Sequence, residues 1–452
     1  MTSPRLVLPA LLAVMVLIVA CRHTSTHPRH GTHHPPTYQH KTQPLTSADP
    51  LAAKRGPLVQ SLRGEPNLRI RIGRSLSTAA LGSTGSVVVG PGNADLGKAR
   101  PLTFQAPLRI SHDKQGFVLT EPNGASVRWR LSTLEVTGNA GAITIGKNPY
   151  PGKIELVAVR SKAGQPTGQF DTINHVGMES YLPGVLSQEL YASWDVKAYR
   201  AQAIAARSYA IWEMNLPIRR NSHFDLEAGE ASQAYIGAKA SDKAKAAVAD
   251  TAGKVLVFER RVLPAFYSSC SGGVGQDAIA AWPNKVDDLA PLRGRVHGGW
   301  GQQSTKYRWG PVTLGTDQLA SAFVSWGKTN KHPIAGLNGV RNVQPSARNS
   351  VGRPTRFIVT DAAGKRFELQ AESLRFATNT ALPGNAHRVK AKAFSSHTDY
   401  RITGNTVTIT GQGFGHGVGM CQFGAQHMAS EGYAHDKILG FYYPGARLQK
   451  AY

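Results

Sequence analysis

The sharpest chemical signal in this chain lies between Asn174 and Asn215, where one carboxylate and two arginines fall on consecutive helical patterns. Leu182, Val185, Leu186 and Glu189 are spaced i, i+3, i+4 and i+7, so they share one helix face. Glu189 therefore lies on an apolar stripe. A carboxyl held against apolar side chains has its pKa raised, which suits it to work as a general acid. A second pattern starts after Ser193, which reads as its N-cap. Val196, Arg200, Ala203, Arg207, Ile211 and Met214 form one face; Ala198, Ala201, Ala205, Ser208 and Trp212 form another; Tyr199, Ala206 and Tyr209 fill a third. A helix that is apolar or small all round is buried in a larger protein. Arg200 and Arg207 then need partners, because unpaired buried charge is costly. Glu189 and an anionic or sugar ligand are candidates. The competing reading is a core helix whose arginines meet backbone carbonyls and unrelated acids.

A second candidate is the loop GQGFGHGVGMCQFG, with four glycines from Gly411 to Gly417. Such spacing implies unusual backbone angles or close approach to a ligand. His416 within it is a candidate general base, metal ligand or structural hydrogen-bond donor. The chain has no Walker-type loop, no HExxH and no GxSxG elbow.

These residues must be positioned by a chain of 452 residues, long enough for two or three domains. Lys and Arg number 52 against 28 Asp and Glu, a net charge of +24. That excess calls for an anionic partner or surface, or reflects a composition bias. Arg5 precedes the apolar run Leu6–Ala20, which reads as a secretory signal rather than a membrane span. The run ends in Ile18-Val19-Ala20-Cys21, similar to a bacterial lipobox, so Cys21 is expected to carry a lipid. Export demotes nucleic acid as the partner in favour of cell-wall polymer or membrane. Cys270 and Cys421 then remain, and two cysteines in an oxidising compartment suggest one disulfide, with free thiols or metal ligation as alternatives.

Residues 1–21 are thus read as a signal peptide and 22–65 as a disordered His-, Pro- and Thr-rich tether. From Leu68, short alternating runs such as LRIRIG, SVVVG and KIELVAVR read as strands joined by Gly, Asn and Pro turns. The expected fold class is α+β over 66–452. A β-rich part (66–160) leads into a core with the helical pair (161–311). A peripheral α+β arm (312–401) follows, and a glycine loop and helix (402–452) complete the core.

Three stretches in this order carry a family resemblance: YLPGVLSQELYASWDVKAYRAQAIAARSYA, AVADTAGKVLVFERRVLPAFYSSCSGG and GQGFGHGVGMCQFGAQHMASEGYAHDKILGFYYPG. They resemble the SpoIID/LytB family of sporulation stage II protein D and the amidase enhancer, from about Leu68 to Tyr452. The resemblance implies a lytic transglycosylase that cuts peptidoglycan glycan strands lacking stem peptides and leaves 1,6-anhydro-muramic acid ends. It implies Glu189 as the catalytic acid and base, with Arg207 beside it. Arg200, an implied substrate contact, stands where the family usually has lysine. Tyr199, Ser271, Gly272, His416 and Gln422 are implied substrate contacts, together with Tyr181 and Tyr267, with both glycine-rich loops lining one cleft. Hydrolytic glycosidases usually need two carboxylates, whereas a transglycosylase uses the sugar's own C6 hydroxyl as nucleophile, so one carboxyl serves twice. Arginines nearby would offset developing charge but also pull the Glu189 pKa down. No cofactor is expected. Cys270 and Cys421 replace residues that are often serine in the family, which favours a Cys270–Cys421 disulfide. A zinc site at Cys270 and Cys421 with His416 or His427 is the alternative, since a zinc-binding member exists. The implied partners are murein glycan, a membrane through the lipid anchor, and a cell-wall amidase. The rival reading is a non-catalytic murein-binding enhancer of such an amidase; a third is a structural envelope protein that only holds glycan.

Overall fold

The computed structural model describes residues 52–138, 141–381 and 392–452. The stretch read as a signal peptide, Cys21 and most of the expected tether lie outside them. Two sheets dominate the N-terminal half. A seven-stranded sheet runs in the order 226–227, 67–76, 166–177, 153–160, 133–138, 86–91 and 102–105. A six-stranded sheet takes 148–150, 143–145, 78–82, 108–113, 116–120 and 126–129. The alternation seen in the sequence is what closes them on each other: Val87, Val89, Leu134 and Val136 of one share a core with Leu108, Ile110, Phe117 and Leu119 of the other. Lys153–Arg160 is buried along most of its length, as a central strand covered on both faces must be.

The strand Pro166–Gly177 runs directly into the helix Met178–Glu189, whose Tyr181, Leu182, Val185 and Leu186 join the same core. Gly184 permits the loop 235–237 to lie against this helix; a Cβ there would sit 2.2 Å from the Gly237 carbonyl oxygen. The next helix, Val196–Met214, is buried on nearly every side. Ala203, Ala206 and Ile211 pack into the first core, and Ala198, Ala201 and Ile204 into a second. This is the all-round burial that its composition implies. Its N-cap is Asp195, whose carboxylate accepts from the Lys197 N–H at 2.7 Å, in place of the expected Ser193. The second core also holds Phe266, Val418, Met420, Met428 and Ile438. There the short strand Tyr267–Ser268 pairs in parallel with Met420–Cys421, bringing the two glycine-rich loops together.

The α+β class is as expected, but three boundaries move. Residues 52–65 are ordered: Arg55 pairs with Asp287 and Glu259, and Val59 is buried. The limit at 160 separates two antiparallel neighbours of one sheet, 153–160 and 166–177. The arm does not end at 401. Arg308–Gly315 pairs with Thr406–Gln412, which pairs with Thr398–Thr403, and Trp309, Val407 and Ile409 share a core with Phe323, Phe357 and Leu374. Strand pairing over about a hundred residues sets that limit, and no local signal marks it. Among the described residues no helix is long and apolar enough to cross a membrane.

Candidate active site

Glu189 is the last residue of the Met178–Glu189 helix, at the end where unpaired carbonyls disfavour a negative charge. Its carboxylate accepts from two neutral donors, the Ala234 N–H at 3.2 Å and Gln422 Nε2 at 3.1 Å. Its pKa is raised, first by loss of hydration and then, against those two hydrogen bonds, by the nearby Glu230 carboxylate. As a residue Glu189 is half-buried.

Gln422 opens the helix Gln422–Ser430, which is capped by Cys421: the thiol sulfur accepts from the Gly424 N–H at 3.3 Å. Gln426 of the same helix accepts from the Asp195 N–H at 2.8 Å, so this helix is locked onto the start of the arginine helix. The loop carrying Ala234 is fixed by Gln233. Its Oε1 accepts from the Tyr181 hydroxyl at 3.2 Å, and its Nε2 donates to the Tyr267 hydroxyl oxygen at 2.8 Å. Burial raises the pKa of both phenols well above the usual value, so they stay neutral. Beyond Glu189, exposed Tyr191 meets Phe423 with ring centroids 5.9 Å apart, an aromatic edge beside the carboxyl.

The other expected site residues separate. Arg207 does not meet Glu189, which corrects the pairing implied by the sequence. It is fully buried and its guanidinium is taken up by Glu179, at 2.6 and 2.9 Å, and by the Lys254 carbonyl at 3.1 Å. Arg200 pairs with Asp250 at 2.6 Å on the neighbouring helix Asp242–Asp250. Tyr199 is buried, with its hydroxyl donating to the Tyr191 carbonyl at 3.1 Å, so it is a core residue rather than a substrate contact. Ser271 is buried beneath the loop, and its carbonyl accepts from Arg353 at 2.8 Å. Gly272 has φ +68° and touches Gln412 and Gly413, which makes it a packing glycine between the two loops.

His416 lines a cavity that also takes Tyr267 and the 230–232 loop. The His416 Nδ1 accepts from the Val418 N–H at 3.0 Å, the ring lies edge-on to Trp282 at 4.9 Å, and burial lowers its pKa to about 4. Cys270 and Cys421 are neighbouring buried free thiols, not a disulfide. The Cys421 sulfur accepts from the Ser271 and Gly424 N–H groups, and a hydrogen bond with Cys270 leads the lowering of its pKa to about 7. The zinc alternative lacks a ligand set: among the described residues no three His, Cys, Asp or Glu side chains gather at metal-binding distance. His427 Nδ1 meets the Trp300 carbonyl at 3.0 Å.

Several residues here carry no local sequence signal. Arg353, from the arm, is fully buried and donates to the carbonyls of Ser271, Val274 and His416, tying both loops to the arm. Glu230, Gln233 and Ala234 lie on an irregular loop. A cavity of about 240 Å³ lies next to Tyr267 and the 230–232 loop; Glu189 is not in its lining.

Residues 166–258, which hold Glu189, Arg200 and Arg207, match the family described as Stage II sporulation protein (SpoIID). Residues 292–419 match a domain of unknown function, DUF8618. The chain is 26% identical over 294 residues to the Stage II sporulation protein D of Bacillus subtilis (strain 168), covering 62% of this chain and 76% of that protein. It is also 26% identical over 292 residues to the Amidase enhancer of the same strain, covering 59% of this chain but only 40% of the enhancer's length. An uncharacterized protein of Brachyspira hyodysenteriae is 27% identical over 278 residues, covering 60% of this chain and 67% of its own.

Proposed function

We propose that the protein is a lytic transglycosylase acting on murein glycan strands, with Glu189 as its acid and base. The observation that carries this reading is a carboxyl held, among the described residues, by the neutral donors Gln422 and Ala234 and by no arginine, with its pKa raised. In the protonated form Glu189 gives its proton to the glycosidic oxygen as the bond to the anomeric carbon breaks. The C6 hydroxyl of the same sugar then closes on that carbon, and the Glu189 carboxylate takes the hydroxyl proton. The carboxyl ends as it began, and no water enters the product. Tyr267 and Tyr181, neutral and fixed through Gln233, keep the loop that supplies the Ala234 donor in place. A net charge of +24 suits an anionic wall polymer. In this reading the chain is exported and anchored through lipid at Cys21.

Two other readings have support. Glu230 lies close enough to raise the Glu189 pKa, and a second carboxylate is what a hydrolase needs. The name of the amidase-enhancer relative favours a role in stimulating a cell-wall amidase. Mass spectrometry of stem-peptide-free glycan digested by wild type and by Glu189→Gln separates the three. The proposal expects anhydro ends from wild type and none from the variant. Reducing ends carrying water would support the hydrolase, and no cleavage by either protein would leave the enhancer.

A further inference from the structure

The arm enters the glycine-rich loops through one hairpin tip, residues 349–353, between the strands Asn342–Arg348 and Pro354–Thr360. Asn349 shapes that tip. Its Oδ1 accepts from the Arg353 N–H at 2.9 Å, and its Nδ2 donates to the Gly275 carbonyl at 3.0 Å. The fully buried Arg353 side chain then reaches between the loops. It donates to the Ser271 and Val274 carbonyls of the first loop at 2.8 and 2.9 Å, and to the His416 carbonyl of the second at 3.2 Å. Gly417, at φ +75°, makes room for it: a Cβ there would lie 2.5 Å from the guanidinium. These hydrogen bonds go to uncharged oxygens, and burial lowers the Arg353 pKa to about 10. A guanidinium placed this way supplies geometry, because its donors form a rigid fork that fixes the carbonyls of two loops at set positions.

We propose that Arg353 is a positioning residue for Glu189: through the two loops it sets where Gln422 and the Ala234 N–H, the donors to that carboxyl, stand. The inference rests on Glu189 as acid and base and deepens that reading. It also gives the stretch 292–419, which matches a domain of unknown function, a part in the same site. The first loop leaves the strand Tyr267–Ser268 and the second runs into Met420–Cys421. These strands pair in parallel, Tyr267 against Met420 and Ser268 against Cys421. Gln422 follows Cys421 directly and reaches Glu189 at 3.1 Å. Tyr267 holds Gln233, whose neighbour Ala234 donates to Glu189 at 3.2 Å. Both donors therefore hang on the strand pair that Arg353 closes. The action is mechanical rather than a field effect. The titratable groups that interact with Glu189 are Glu230, Tyr181 and Tyr267, and the Arg353 charge is not among them.

The test reads the Glu189 carboxyl directly, by NMR titration of the full chain labelled at its glutamate carboxyls, without substrate. Glu189→Gln assigns the signal. Arg353→Met should release the loops and weaken both hydrogen bonds. Those bonds favour the charged carboxylate, so the Glu189 pKa should rise by about one pH unit. Arg353→Lys keeps the charge but cannot span three carbonyls, and should give a smaller rise. Asn349→Ala leaves the guanidinium in place and loosens only the tip, so it should shift the signal the same way by less. It decides the question if Arg353→Met does not fold. Arg356→Gln, on the exposed side of the arm where Arg356 pairs with Glu368 at 2.9 Å, should leave the signal where it is. In cleavage, the high-pH limb of the profile should move upward with the titration. An unmoved Glu189 signal in folded Arg353→Met, or in Asn349→Ala where the first variant does not fold, would overturn the positioning role. Cleavage by wild type is scored separately: no anhydro ends would sink the enzyme reading and leave the titration result standing.

Discussion

One helix, Met178–Glu189, carries a carboxylate near each end, and the two have opposite fates. Glu179 lies in the first turn. It receives Arg207 through two hydrogen bonds, the Tyr452 hydroxyl at 2.6 Å and the Gly253 N–H at 3.2 Å, and its pKa is lowered despite burial. Glu189 lies in the last turn, has only Gln422 and Ala234 among the described residues, and its pKa is raised. Helix polarity acts in the same sense at both ends, favouring charge on Glu179 and opposing it on Glu189. Burial of a carboxylate is therefore not by itself a functional signal. A carboxylate with a guanidinium is a structural tie, while one with neutral donors alone keeps a proton available for transfer.

The largest expected effect comes from exchanging the charge at one end and then at the other. Glu189→Gln keeps the shape and the neutral neighbours, so the fold should survive with an unchanged or slightly higher melting temperature. Production of anhydro ends should fall by about 10²–10⁴-fold, the range for losing a general acid. Glu179→Gln should do the reverse. It leaves the fully buried Arg207 without its carboxylate, at a cost of about 3–5 kcal/mol of stability. Per folded molecule, its cleavage rate at low temperature should remain near wild type. A pair of variants in which Glu179→Gln abolishes cleavage without altering thermal or urea unfolding would break the contrast.

Next in size is the pH dependence of stability, which should have opposite signs at the two ends. Glu179 has a folded pKa below its usual 4.5, so its contribution is present above that value and is lost as pH falls through the folded pKa. Glu189 has a folded pKa above 4.5, so the folded state binds the extra proton. Its ionisation costs stability as pH rises from 4.5 through the raised pKa. Melting temperatures across pH should show Glu179→Gln flattening the acid limb and Glu189→Gln flattening the loss at higher pH. Parallel curves for the two variants would mean that the ends do not differ as described.

The sequence was informative where the signal is local. The i, i+3, i+4, i+7 spacing placed Glu189 on its helix, the small and apolar residues of 196–214 announced a buried helix, and the alternating runs became strands. Gln422 and the glycine loops followed from the family resemblance, and Gln422 does reach Glu189. What was not legible depends on partners far along the chain. Arg207 and Glu189 were paired because they are 18 positions apart in one motif, yet the guanidinium points to Glu179, Lys254 and the neighbourhood of Tyr452. Arg353 looks like any arm arginine until Ser271 and His416 are seen to present their carbonyls to it. The arm's limit at 412 rather than 401 comes from pairing between 308–315 and 406–412.

The smallest effect should come from Gln422→Ala, and it sharpens the contrast most directly. Gln422 Nε2 is the side-chain donor that lowers the Glu189 pKa, opposing the desolvation that raises it. Removing the donor leaves only the Ala234 N–H, so the carboxyl should hold its proton to still higher pH. Proton donation, which needs the protonated resting form, then survives to higher pH. The high-pH limb of the cleavage profile should move upward, with the rate at the optimum changing by less than about tenfold. The Cys421 cap and the Gln426 bond to the Asp195 N–H do not depend on this side chain, so the helix should stay in place. An unmoved high-pH limb would mean that Glu189 is not the group titrating in it, and the opposition between the two helix ends would lose its functional meaning.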